Sequence, residues 1–383
     1  MERAKASRYL VTLFLSLIQV ATAQTTNSPL ASALYVFGDN SVDVGNNNYL
    51  NTLFKSNHKP YGRDWHGYSR PTGRFSNGKL FVDYLAEYLG LPYPPPNLSP
   101  GEPKIKGVNF ASAGSGVLNS TASILRVASL SGQLDWFRKH LKTLRAWTGE
   151  VWANHIIGDA VYVISTGSND YSNNYLLDPS QHDNVDEDTF VELIYNEMVS
   201  FVHELLAVGA RKIMVVSFTP SHCDPSQLLT QLPDPSTDLF CQDPYNMLPR
   251  RFSEALRYRI QSSLTNGMLP RRSSLSGAPT YVVYGNIYDT IFAFVTNSSS
   301  NAYFKRQDSP CCGPTSEEDD DFPGFLNCNE FTATACSNAD DYVYWDSLHY
   351  TQRVQEYLAN RLWNGTFGVD CHPFCLQELA ALP

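Results

Sequence analysis

The sequence predicts an α/β fold, a mainly parallel sheet held between helical layers. Three observations carry this reading. Short apolar runs alternate with stretches of helical periodicity from residue 33 to residue 363, the order in which parallel strands follow crossover helices. The runs are almost continuously apolar, as expected of strands covered on both faces. Three of them end abruptly in small or amide residues, the composition of loops that face a ligand beyond the carboxyl ends of a parallel sheet.

Taken in order, Ala33-Leu-Tyr-Val-Phe37 is the first strand, and it breaks at Gly38-Asp39 into a loop running through Asn40 to Leu50. Gly78 to Leu89 places Phe81, Val82, Leu85, Tyr88 and Leu89 on one helix face, and the proline-rich loop Leu91 to Pro103 follows. Gly107 to Ser112 is a second strand running into Ala113-Gly114-Ser115-Gly116. From Leu130, Leu134, Phe137, Leu141 and Leu144 mark an amphipathic helix. Its basic outer face, Arg138, Lys139, Lys142 and Arg145, reads as the solvated side of a core-packing helix rather than a partner surface.

Ala160 to Ser165 is the third strand and ends in Thr166-Gly-Ser-Asn-Asp170. A helix through Phe190, Leu193, Ile194, Met198, Phe201, Leu205 and Leu206 follows, with Gly209 as its C-terminal cap. Ile213 to Ser217 and Pro279 to Tyr284 are the fourth and fifth strands, with helices over Arg250 to Leu264 and Ile287 to Val295. Asn297 to Asp341 has little periodicity, and its acidic run Glu317 to Asp321 lacks the oxygen spacing of a calcium loop, so it reads as solvated and no metal is expected. Tyr342 to Trp345, Asp346 to His349 and a helix over Gln352 to Trp363 close the pattern, with no internal repeat.

Residues 1–23 combine Arg3, Lys5 and Arg8, an apolar run from Tyr9 to Val20, and the small-residue pattern Ala21-Thr22-Ala23. That is a secretory signal peptide, and the run is too short for a spanning helix of about 20 apolar residues. Residues 24–383 are then expected to form a single domain. Removing the signal makes the chain more negative still than the −10 of the full sequence, which excludes an electrostatic footprint for nucleic acid or anionic membrane. Eight cysteines, all from Cys223 onward, fit disulfides in an oxidising compartment, in pairings the sequence leaves open. Sequons at Asn97, Asn119, Asn297 and Asn364 are candidate glycan sites.

Four loops line up as one candidate site: residues 38–46, 110–116, 167–170 and 346–349. Asp346 and His349 are three residues apart on one turn, so the carboxylate can accept from one imidazole nitrogen and leave the other to act as a base. Asp-x-x-His alone is a weak signal, more often a surface turn than a catalytic pair. Its weight comes from the blocks around it.

Those blocks are Phe37-Gly-Asp39 with Asp43-Val-Gly-Asn-Asn-Asn48, Asn109-Phe-Ala-Ser-Ala-Gly-Ser-Gly116, Gly167-Ser-Asn-Asp-Tyr171, Cys311-Cys-Gly313 and Tyr342-Val-Tyr-Trp-Asp-Ser-Leu-His349. In this order they resemble the plant-type GDSL esterase/lipases of the SGNH hydrolase superfamily, over nearly the whole chain from Ala33 to about Trp363. The resemblance implies a three-layer α/β/α sandwich around a flavodoxin-like, mainly parallel five-stranded sheet. It also implies hydrolysis of small carboxylic esters or lipids without metal or cofactor, outside the cell, in the wall or apoplast. It assigns the base to His349, its orienting acid to Asp346, and the oxyanion hole to Gly114, Asn169 and the backbone N–H of residue 40. The nucleophile falls at position 40, where the family has serine and this chain has Asn40.

Counting back from Asp43-Val-Gly-Asn46 fixes that register, so Ser41 belongs to the next position and is expected to point away from His349. An asparagine carboxamide offers no hydroxyl for His349 to activate, although it could hydrogen-bond the imidazole and keep it ordered. His222 and Tyr350 also depart from the family pattern; His222 reads as a loop histidine beside a disulfide. Three readings follow. The first is a catalytically impaired protein that binds an ester or acyl ligand. The second is an active esterase using Ser41, or another serine such as Ser115. The third is a structural or partner-binding glycoprotein in which Asp346 and His349 only support the fold.

Overall fold

The computed structural model of the protein describes residues 28–67, 69–101, 103–175, 184–226, 241, 248–265, 272, 277–296, 303–313, 328–329 and 334–383. Residues 1–23, Asn297 and the acidic run Glu317 to Asp321 lie outside them.

Five parallel strands, β1 (Leu34–Gly38), β2 (Gly107–Asn109), β3 (Val161–Ser165), β4 (Lys212–Val216) and β5 (Tyr281–Gly285), pair in the order β2-β1-β3-β4-β5. A sixth strand, Cys371–His372, adds to β5 antiparallel. Two residues are too few to show a period, so no sequence pattern marks this strand. The expected five-stranded parallel sheet is therefore present with one short antiparallel edge added.

Alternating side chains divide the core into two layers. Tyr35, Phe37, Tyr162, Ile164, Ile213, Val215, Val282 and Tyr284 pack under the helices Leu130–Thr148, Glu150–Asp159, Glu187–Ala207 and Leu248–Thr265. Leu34, Val36, Val161, Val163, Met214, Val216 and Val283 pack under Phe81–Leu89, Tyr288–Thr296, Gln352–Asn364 and Leu376–Ala381. This is the three-layer α/β/α arrangement. The Leu134, Phe137, Leu141 and Leu144 face is buried in the first layer, while Arg138 on the opposite face pairs with Asp135 and Glu204. Glu150–Asp159 escaped the sequence pattern because only Ala153 and Ile157 are buried on it, with Val151 and Trp152 exposed.

The strand order reverses between β1 and β3, the place where an open parallel sheet forms its crevice. There β1 ends at Gly38, whose φ of +147° is beyond the usual reach of other residues and where a Cβ would lie 1.9 Å from the Ser165 carbonyl of β3. Gly38→Ala is expected to cost about 1–3 kcal/mol in backbone strain alone, plus the clash, read as a lowered denaturant midpoint. An unchanged midpoint would show that the strand end is free to move.

Four disulfides pair the cysteines: Cys223–Cys241, Cys311–Cys336, Cys312–Cys328 and Cys371–Cys375. Two of them brace the segment that carries Asp346. The N–H groups of Cys311 and Cys312 donate to the carbonyls of Tyr344 and Trp345 at 3.0 and 2.6 Å. Among the described residues, no helix is long and apolar enough to cross a membrane.

Candidate functional site

The loop after β1 is built by carboxylates and amides closing on main-chain groups. Asp43 Oδ1 accepts from the N–H groups of Gly45 and Asn46 at 2.7 Å each, and Oδ2 accepts from that of Ala113 at 3.0 Å. Asn46 Nδ2 donates to the carbonyls of Asn109 and Ala111, and Asn47 Nδ2 to those of Phe54 and Ala113, all at 2.8–2.9 Å. Short polar side chains are needed because each must reach backbone across a buried gap. The run Asp43 to Asn47 thus clasps the loop after β1 to the loop after β2.

That clasp positions Gly114, which turns with a φ of +82° and where a Cβ would meet Leu125 Cδ1 at 2.6 Å and the Phe54 ring at 3.2 Å. The Phe54 ring in turn lies 6.2 Å from the His349 ring, centroid to centroid, and Phe75 packs closer, at 4.6 Å. Loops 38–46, 110–116 and 346–349 therefore meet around Phe54 and Phe75.

His349 is buried, and its Nδ1 lies 2.8 Å from each oxygen of Asp346. Asp346 Oδ1 also accepts from the N–H groups of Leu348 and His349, at 2.8 and 2.7 Å, and Oδ2 accepts from the Tyr61 hydroxyl at 2.6 Å. Burial alone would raise the Asp346 pKa; His349, Tyr61 and the Leu348 N–H outweigh it and hold the carboxyl below its ordinary value. A carboxylate on Nδ1 leaves Nε2 as the free nitrogen of the ring, and Nε2 is buried with no hydrogen-bond partner. Nothing in the sequence marked Tyr61, which stands in an aperiodic loop. Tyr61→Phe is expected to cost about 1.5–3 kcal/mol, the range for a buried bond to a charged group, measured by denaturant unfolding; a loss under about 0.5 kcal/mol would remove Tyr61 from the site.

Asn40 turns to Asn169. Asn169 Nδ2 donates to Asn40 Oδ1 and to the Ser115 carbonyl, both at 2.8 Å, while Asn169 Oδ1 accepts from Asn173 Nδ2 at 3.1 Å. Both donor positions of the Asn169 amide are thus taken, and its orientation is set by Asn173. The bond that Asn40 could make to His349 is not formed, since the imidazole Nε2 has no partner; the neighbouring amide donor holds the Asn40 oxygen instead.

Ser41 faces another way. Its hydroxyl donates to Asp39 Oδ1 at 2.7 Å and lies 2.9 Å from Ser165 Oγ, and its N–H also reaches Asp39 Oδ1 at 2.9 Å. Burial pushes Asp39 up to about 6 against those bonds and the opposing influence of nearby His349. Ser115 is fully buried, donating to the Gly38 carbonyl at 3.0 Å and accepting from Gln133 Nε2 at 3.2 Å. Gln133 also closes a pair of bonds with the Gly38 main chain, N–H to Oε1 and Nε2 to carbonyl, at 2.9 Å each. Sequence reasoning missed Gln133, because a glutamine near a helix start looks like surface.

Of the sequons, Asn119 and Asn364 are exposed and Asn97 is half-buried. Among the described residues, the one grouping of possible metal donors is His222, Cys223 and Cys241. Its two sulfurs form a disulfide, so neither is a thiolate and the set does not fit a metal ion.

Comparison with known proteins adds an independent finding. The sequence model of the GDSL-like lipase/acylhydrolase family matches residues 34–362. Among curated proteins, the chain is 34% identical over 364 residues to GDSL esterase/lipase At2g04570 of Arabidopsis thaliana, covering 94% of this chain and 98% of that one. It is 34% identical over 368 residues to GDSL esterase/lipase APG, with the same coverage, and 31% identical over 388 residues to GDSL esterase/lipase 4, covering 98% and 97%, both of Arabidopsis thaliana.

Proposed function

Because the chain belongs to the GDSL-like lipase/acylhydrolase family, we propose that it is a secreted ester- or lipid-binding protein whose hydrolytic chemistry is impaired by Asn40 in the nucleophile's place. The observation that carries this reading is the state of position 40. Its side chain ends in a carboxamide oxygen held 2.8 Å from Asn169 Nδ2, while the free imidazole nitrogen of His349 has nothing to take a proton from.

In this reading His349 is the general base, Asp346 fixes its tautomer, and the N–H groups of residue 40 and Gly114 with Asn169 Nδ2 would cradle a carbonyl oxygen as negative charge develops on it. Asn40 supplies no hydroxyl, so the acyl-enzyme step lacks its nucleophile. Asn40 Oδ1 also sits on one of the donors meant for the carbonyl. An entering ester must displace it, which weakens binding without abolishing it. Ser41 replaces the nucleophile only by leaving both Asp39 and Ser165.

Residues 1–23 act as the signal peptide in this reading, and residues 24–383 as the single secreted domain. The four disulfides are compatible with an oxidising compartment, and the exposed Asn119 and Asn364 are accessible to glycosylation. The test is to measure hydrolysis and equilibrium binding of a short-chain chromogenic ester by the wild type, Ser41→Ala and His349→Ala. Saturable binding with negligible turnover in all three is expected. Wild-type turnover that His349→Ala abolishes would make the protein an active esterase, and its loss in Ser41→Ala would name the nucleophile. Neither binding nor turnover would favour a structural or partner-binding glycoprotein.

A further inference from the structure

Next to His349 lies a group of buried polar side chains that the hydrolase site does not use. They come from the loop after β4 (Ser221, His222, Asp224), from the start of the helix after β5 (Tyr288), and from the turn that bears His349 itself (Ser347, Tyr350). None is more than 5% exposed. Ser221 Oγ, Tyr288 Oη and Ser347 Oγ have no hydrogen-bond partner, while His222 interacts with the Cys241 main chain and Tyr350 with Thr219 and Asp224. Each such group costs about 1–3 kcal/mol if it stays unsatisfied, and folded proteins carry few of them.

The surrounding chain is well bonded. Ser217 Oγ accepts from the N–H groups of Ile287 and Tyr288 at 2.8 and 3.0 Å, and the Tyr344 hydroxyl donates to the Cys223 carbonyl at 3.2 Å. The polar side chains of this group are also neighbours. The His222 and Tyr288 rings lie 6.4 Å apart, Tyr344 and Tyr350 5.3 Å apart, and electrostatic coupling links Tyr350 to both Asp224 and Tyr288. We propose that these side chains form a subsite for the polyhydroxylated alcohol part of an ester, a glycerol or sugar unit.

Chemistry selects that ligand class. Burial pushes His222 down to about 4, with the Cys241 main chain opposing, and holds Asp224 well above the usual carboxylate range. Burial thus favours the uncharged form of both side chains. The group offers hydroxyls, an imidazole and a carboxylic acid, which both donate and accept. An anion or cation would find no counter-charge here, and an alkyl chain would leave every polar group unsatisfied. A neutral polyol matches both the absence of charge and the mixture of donors and acceptors.

Position selects the alcohol side of the ester. Ser347 and Tyr350 flank His349 in the chain, and Asp224 lies close enough to feel the Asp346 charge. The imidazole that activates a nucleophile afterwards protonates the leaving alcohol, so the alcohol part belongs on its side. The proposal rests on the reading that this site binds esters.

The experiment measures equilibrium binding of glycerol monobutyrate, 6-O-butyryl glucose and ethyl butyrate, and of free glycerol and glucose, to the wild type and to Tyr288→Phe/Tyr350→Phe. At least one polyol ester is expected to bind the wild type ten-fold or more tightly than ethyl butyrate, the stronger of the two distinguishing glycerol from sugar. The double variant is expected to bring that ratio near one without changing the Kd of ethyl butyrate. Equal wild-type affinities, or a preference that survives in the double variant, would overturn the subsite. If no ester binds at all, the ester-binding reading fails separately. Free glycerol or glucose then decides: binding that the double variant loses supports the subsite, and no binding overturns it.

Discussion

Asn40→Ser is expected to raise turnover of a short-chain ester by about 10⁴-fold or more. The figure is bounded by the reverse experiment in a comparable hydrolytic triad, where removing the serine, with the oxyanion hole and binding left in place, costs about 10⁶ in turnover. In the proposed reading the other members of the site are already in place. His349 Nδ1 is held by Asp346 and Nε2 is free. The turn that carries residue 40 is tied down by the Ser41 N–H on Asp39 Oδ1 and the Asp39 N–H on the Ser165 carbonyl. Serine at 40 would also release Asn169 Nδ2, since its shorter side chain has no carboxamide oxygen to place there.

These two effects separate. Asn40→Gly removes the occupant of Asn169 Nδ2 without adding a nucleophile, so ester binding should tighten with no gain in turnover. Asn40→Ser should gain turnover, and His349→Ala in that background should return it to the wild-type level. Equal turnover in the wild type and Asn40→Ser would show that position 40 does not divide enzyme from former enzyme.

The alternation of apolar runs and helical periods was enough to find all five parallel strands, because a strand buried on both faces leaves an unbroken signature: the runs around Leu34–Gly38 and Val161–Ser165 needed no context. The Asp346 and His349 pair was legible through the sequence blocks around it, since a spacing of three residues on one turn permits the pair without singling it out. Tyr61 was not, since its partner Asp346 lies 285 residues away and its neighbours have no period. Asn40 was legible as a residue but not as an orientation: its choice of Asn169 over His349 depends on where Asn173 and the Ser115 carbonyl set the Asn169 amide, which is tertiary information. The disulfide pairings were hidden for the same reason.

Asp83→Asn is expected to destabilise the protein by about 3–5 kcal/mol, the range for breaking a buried ion pair by removing one charge. Arg74 Nε and Nη2 donate to the two oxygens of Asp83 at 2.8 and 2.7 Å, and Asp83 is fully buried. Asp83 Oδ2 accepts as well from the Leu80 N–H at 2.8 Å, at the start of the helix Phe81–Leu89. The same guanidinium lies 4.4 Å over the Trp65 ring and reaches the Val44 carbonyl in the loop after β1. The next residue, Phe75, is the ring that backs His349. The ion pair thus joins a helix of one layer to the floor of the site, and its loss should be felt in both.

Arg74→Met should cost a similar amount, because it strands the opposite charge. The double variant Arg74→Met/Asp83→Leu should recover most of the loss, since an apolar pair leaves no charge to desolvate, although the Leu80 N–H would go uncapped at about 1 kcal/mol. Denaturant unfolding of the four proteins gives the coupling directly. Single-variant losses under about 1 kcal/mol, or a double variant as weak as the sum of the two, would show that Arg74 and Asp83 act separately and that the site floor is held by packing around Phe54 and Phe75 alone.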